Sequence, residues 1–134
     1  MDRKELAVSL HHKKFNCAQS VACSFCNVMG ADPEQTFRLA EGFGFGMGDM
    51  NTCGAVSAMA MVVGMKISDG DMDNPSTKKE CYQMMKKLLA EFEAENGSVL
   101  CRELKATDNC KERKSCDELI ANAVELLDKH LLGL

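Results

Sequence analysis

The chain is poor in several things, and each shortage excludes something. It has no Trp, a single Tyr and only 5% aromatic residues. Stacking of bases on aromatic rings interleaved with a basic stripe is therefore not expected. The net charge of −4 argues in the same direction, against nucleic acid and against an anionic membrane surface. Apolar runs are short as well. The longest, Ala55 to Met65, is broken by Ser57 and Gly64 and falls well below a bilayer span. Two prolines in 134 residues leave few helix breakers, and no segment alternates apolar and polar residues for long, so strands are not expected. The opening residues, Met1 to Lys14, are polar and charged with no apolar centre, so no secretory signal is read there.

Cysteine is what the chain has in abundance, eight in all. A chain of this length buries an ordinary core without covalent staples. A reducing cytoplasm is then the expected compartment, where clustered cysteines point to catalysis or metal binding more than to structure.

The pattern predicts a single all-α domain over residues 1–134, a compact bundle of about five to seven helices around one buried central helix. Asp2 caps a first helix running to about Lys13. Asn16 caps a second, with Cys17, Val21, Phe25 and Val28 at helical spacing and Gly30 at its end. Asp32-Pro33-Glu34 opens a third. Gly42-Phe43-Gly44-Phe45-Gly46-Met47-Gly48 cannot hold a regular helix, because four glycines make order entropically costly. Thr52 is the expected cap of the next helix, Cys53 to about Met65, which is apolar nearly all round and so predicted central. An acidic loop, Asp69 to Asn74, leads into a long helix from Asn74-Pro75 to about Glu95. Its apolar face is Cys81, Met85, Leu88, Leu89 and Phe92. Ser98 is expected to cap a short helix holding Cys101. Lys105 to Lys114 reads as a hydrophilic loop. Ser115-Cys116-Asp117-Glu118 is a capping box for a last amphipathic helix.

Four cysteines, Cys17, Cys53, Cys101 and Cys116, thus fall at or within a turn of a helix start. Unpaired N–H groups and the positive dipole end favour thiolate there. Their spacings of 36, 48 and 15 residues are unlike the tight pairs of zinc ribbons and ferredoxins. The four can converge only if the helix starts meet at one end of the bundle.

Other features carry less. Cys23-Ser24-Phe25-Cys26 is a CxxC, but it lies late in a helix with no strand before it, and it faces away from Cys17; packing is the favoured reading. Cys81 fits an apolar helix face. Cys110 sits in a charged loop. Asp69, Asp71, Asp73 and Glu80 imitate a calcium loop, yet Asn74 stands where glycine is required, so a solvated acidic loop is expected. His11 and His12 are about 100° apart on a helix, which argues against a shared metal. The ten methionines read as core filler. The glycine segment could cradle a phosphate or cofactor through Gly44, Gly46 and Gly48, although no Walker lysine accompanies it. The plainer expectation is a loop passing close to the cysteines, anchored by Phe43 and Phe45.

In order, Asn16-Cys17-Ala18-Gln19-Ser20-Val21, the Gly42 to Gly48 segment, Cys53-Gly54-Ala55, Cys101-Arg102-Glu103-Leu104 and Cys116 before an apolar helix resemble the redox-active protein family named for a C_GCAxxG_C_C pattern. The resemblance covers roughly residues 5 to 130. It implies a small helical protein with four characteristic cysteines, matching Cys17, Cys53, Cys101 and Cys116. One departure is Ala58, where the pattern has glycine at the end of CGAxxG.

Two functions follow as expectations. One is thiol–disulfide or electron-transfer chemistry with a redox partner protein or a small oxidant. Cys53 would then be the attacking thiol, Cys17 the resolving one, and Arg102 a cation for the thiolate. The other is a metal ion or iron–sulfur cluster held by the same four cysteines. A helical interaction module whose cysteines only pack is a third, duller reading. The apolar helices are compatible with a homodimer.

Overall fold

Four capping residues set the frame. Asp2 accepts from Glu5 N–H, Asn16 from Gln19 N–H, Asp32 from Gln35 N–H and Ser115 from Glu118 N–H. Each ties down one of the donors that a helix start leaves unpaired. In the computed structural model, which describes residues 1–105 and 115–134, these caps open α1 (Arg3–His12), α2 (Cys17–Ser24), α4 (Pro33–Glu41) and α8 (Cys116–Leu131). Cys110 lies outside the described residues. The remaining elements are α3 (Cys26–Met29), α5 (Gly54–Ile67), α6 (Lys78–Asn96) and α7 (Cys101–Leu104). The architecture is all-α. The helices number eight among the described residues because the expected second helix divides into α2 and α3.

The core forms around α5, which packs against α2, α6 and α8. Its small residues, Ala55 and Ala58, are fully buried and let neighbours approach, while Met59, Val62 and Val63 fill the space beyond. Leu88 and Phe92 of α6, with Ile120, Val124 and Leu127 of α8, complete the core. The expectation of a central apolar helix holds. α1 lies across α8 and α2, and Arg3 ties it down by a 2.6 Å ion pair to Asp128.

Four boundaries differ from the sequence reading. α7 begins after Leu100, and Ser98, its expected cap, accepts instead from Leu100 N–H at 3.0 Å. α2 and α3 are separate, because the chain flattens at Phe25 (φ −100°, ψ −6°) before Gly30 ends α3 in the left-handed conformation. Val28, expected on the apolar face, is exposed. α6 starts at Lys78, not at Pro75: Asp71 accepts from the N–H groups of Asp73 and Asn74, which holds that stretch in a turn. α5 is capped by Cys53 itself, since Thr52 pairs instead with Leu100 in an isolated antiparallel bridge. No helix among the described residues is long and apolar enough to cross a membrane.

Candidate functional site

The site lies where four helix starts meet. Asn16 and Gln19 form a capping box, which places Cys17 as the first residue of α2. The carbonyl of Glu41 accepts from the Asn16 amide at 2.9 Å, which joins that start to the end of α4. Cys116 is the first residue of α8. Cys53 and Cys101 are placed by the bridge between Thr52 and Leu100. Cys53 N–H donates to Val99 C=O at 2.8 Å, and Cys101 N–H donates to Asn51 C=O at 2.6 Å. Side chains alternate along an extended chain, so Cys53 and Cys101 leave the bridge on one face.

The glycine segment closes this end. A Cβ on Gly44 would stand 2.4 Å from the Asn16 side chain, and one on Gly46 would stand 2.8 Å from Cys101 Cβ. A Cβ on Gly54 would stand 3.3 Å from Cys17 Cβ. These glycines are filled by protein atoms, which favours the plainer reading of the segment as a close-packed wall. Gly48 has nothing within 4 Å of a built Cβ; its φ of +74° explains the residue. Phe45, Met47 and Met50 are also left-handed, at φ +54°, +60° and +54°. Such strain persists only when the surroundings over-determine it. Here Asn51 N–H bonds back to Gly46 C=O at 2.8 Å. Phe43 packs on the core; Phe45 does not, and its exposed ring lies 5.6 Å below the Lys105 ammonium.

Cys17 and Cys116 come together with His11 within 4.8 Å, while Cys53 and Cys101 stand at neighbouring helix starts, Cys53 acting on Cys17 and Cys101 on Cys53 through charge. A proton shared between the Cys17 and Cys116 sulfurs pushes the Cys17 thiol far up while pulling Cys116 down. Burial opposes the fall at Cys116, but Lys105 adds both charge and a hydrogen bond, and His11 adds charge. The open position of Cys116 and the nearby cations favour thiolate at Cys116 over Cys17. For Lys105, burial alone would lower the pKa, but the thiols of Cys116, Cys101 and Cys17 raise it. Burial pushes Cys53 up, against the N–H groups of Ala55 and Val56, and Cys101 and Cys116 push it further. Cys17, Cys53 and Cys101 are buried, and Cys116 is partly open.

Three residues of the site escape a sequence reading. Lys105 stands where Arg102 was expected; Arg102 is exposed and donates to Asn51 Oδ1 at 3.3 Å. His11 Nδ1 lies 3.0 Å from Asp117 Oδ1, and His12 Nε2 lies 2.7 Å from Asp117 Oδ2. The two imidazoles, read as diverging, converge on one carboxylate. His12, then burial acting the other way, then His11 set the Asp117 carboxyl below its usual range. A ring nitrogen of His11 also lies within 4.8 Å of both Cys17 Sγ and Cys116 Sγ. In the acidic loop, Asp69 accepts from Asp71 N–H at 3.1 Å, so these carboxylates serve the turn.

Four cysteines at or next to helix starts, two of them beside a histidine, mark a small helical, cysteine-rich protein. The chain belongs to the family described as "Putative redox-active protein (C_GCAxxG_C_C)", whose pattern matches residues 15–130. No curated protein and no solved structure matches it. Ala58, at the pattern's glycine position, is fully buried, and α5 still lies against α2.

Proposed function

We propose that the protein carries out thiol–disulfide exchange, with Cys116 as the attacking thiol and Cys17 as the resolving one. One observation carries this reading: the sulfurs of Cys17 and Cys116 lie within 4.8 Å of each other, and Cys116, whose thiolate Lys105 favours, is the more open of the two. The Cys116 thiolate attacks one sulfur of a partner disulfide, forms a mixed disulfide and expels one thiolate. The expelled thiolate takes the Cys17 proton. Cys17 sulfur then attacks Cys116 Sγ, and the second partner thiolate leaves. Two protein sulfurs are oxidised to one disulfide, and the partner disulfide is reduced to one thiol and one thiolate, which takes its proton from water.

Cys53, the first candidate for attack from sequence, is a weaker one because burial favours its thiol form. Cys53, on which both Cys101 and Cys116 act through charge, is suited to receive the disulfide together with Cys101 by a further exchange. The readings of Gly44, Gly46, Gly48 and Arg102 as cofactor contacts gain no support from their surroundings, which are protein atoms for Gly44 and Gly46 and Asn51 for Arg102. Trapping tests the assignment. With oxidised glutathione, Cys17→Ser should stop at a glutathione adduct on Cys116, and Cys116→Ser should give no adduct on Cys17. An adduct on Cys53 in both variants would reverse the roles.

A further inference from the structure

The thiol corner also holds an imidazole with a carboxylate behind it. His11 comes from α1, Cys17 from α2 and Cys116 from α8, three helices packed on one another. One ring nitrogen of His11 and the two sulfurs lie within 4.8 Å of each other. Asp117 Oδ1 lies 3.0 Å from His11 Nδ1, and the other carboxylate oxygen is engaged by His12 at 2.7 Å. A carboxylate that fixes the ring and tautomer of a histidine is the usual companion of a metal-ligating imidazole. Two thiolates and one imidazole form a borderline-soft donor set, suited to zinc-class cations, and three protein ligands leave a fourth position open.

We propose that His11, Cys17 and Cys116 of the reduced protein bind a zinc-class divalent cation, with Asp117 as the positioning residue. Neighbouring ligands of a tetrahedral zinc stand about 3.5–3.8 Å apart, given metal–ligand lengths of about 2.0–2.3 Å. The trio must therefore close by at most about 1 Å. Cys53 and Cys101 are not among the three. The proposal shares two sulfurs with the dithiol reading, and this has a consequence. A disulfide oxidant takes one electron from each of the two thiolates and leaves as two thiolates. The new Cys17–Cys116 bond then removes both sulfur ligands, so oxidation releases the cation.

Titration of the reduced full-length protein with Co²⁺ under anaerobic conditions tests this. One equivalent should bind with a sulfur-to-cobalt charge-transfer band. His11→Gln and Cys116→Ser should weaken binding at least about tenfold, and Asp117→Asn by about 10- to 100-fold at unchanged helical circular dichroism. Cys53→Ser and Cys101→Ser should bind as the parent does. Absence of the band in the parent overturns the site. So does loss of binding in Cys53→Ser or Cys101→Ser with His11→Gln and Asp117→Asn unaffected, because the four cysteines would then be the ligands. Oxidised glutathione separates the two readings: cobalt binding without a Cys17–Cys116 disulfide leaves the metal site and removes the dithiol, and the disulfide without cobalt binding does the reverse.

Discussion

Helix α2 and the turn after it present two cysteine pairs that differ in almost everything except residue type. Cys17, at the start of α2, faces Cys116 across to α8, with Lys105 and His11 beside them. Cys23 and Cys26 straddle the break at Phe25, at the far end. Cys23 lines an apolar cleft with Leu6, Leu10, Phe15 and Phe37. Burial pushes its thiol up to about 11, and Cys26 beside it acts in the same direction. One pair has the starts of two long helices and a cation; the other has the end of α2, the single turn α3 and hydrocarbon. The CxxC spacing, which usually signals redox chemistry, falls on the pair whose surroundings favour inert thiols. Environment, more than spacing, sets thiol reactivity here.

The largest expected contrast is in alkylation. At neutral pH iodoacetamide should modify Cys116 at least about tenfold faster than Cys23, because the larger thiolate fraction outweighs the lower intrinsic nucleophilicity of a low-pKa sulfur. Equal rates, read by peptide mass spectrometry, would erase the distinction between the pairs. Next comes Lys105→Gln, which should raise the pH midpoint of Cys116 modification by about one pH unit and leave that of Cys23 unchanged. Asn16→Ala should lower stability by about 1 kcal/mol in chemical denaturation and speed hydrogen exchange at Gln19 N–H, whose acceptor it removes. Amides near Cys26 should not respond.

The smallest effect lies far from both pairs. Burial alone would raise Glu91, but Lys129, at 3.3 Å, and His130 hold it below its usual value. A depressed carboxyl stabilises the fold above its unfolded pKa of about 4.3, and that contribution fades as pH falls through the folded value. Glu91→Gln should therefore narrow the gap in melting temperature between pH 6 and pH 3 slightly.

Much of the helical frame was legible because caps are local. Asp2, Asn16, Asp32 and Ser115 each need a partner only three residues away. The start of α5 was displaced by one residue because Thr52 answers to Leu100, 48 positions on, and no local pattern encodes that bridge. The break at Phe25 was missed for a related reason. Ser24 Oγ donates to Val21 C=O at 2.7 Å, and Arg3, from α1, stacks 4.8 Å from the Phe25 ring centroid. The cysteine set was readable from its helix starts; its cation and its histidine were not. Lys105 follows the single turn α7 and sat in what looked like plain hydrophilic loop. His11 and His12 were judged by angle along one helix, whereas Asp117 reaches both with separate oxygens from another.

Disulfide mapping after mild oxidation tests the central claim most directly. Reduced protein treated anaerobically with one equivalent of oxidised glutathione should lose two hydrogen atoms and yield a peptide pair linked through Cys17 and Cys116, with Cys23 and Cys26 still free. A Cys23–Cys26 link formed first, or no intramolecular link at all, would contradict it.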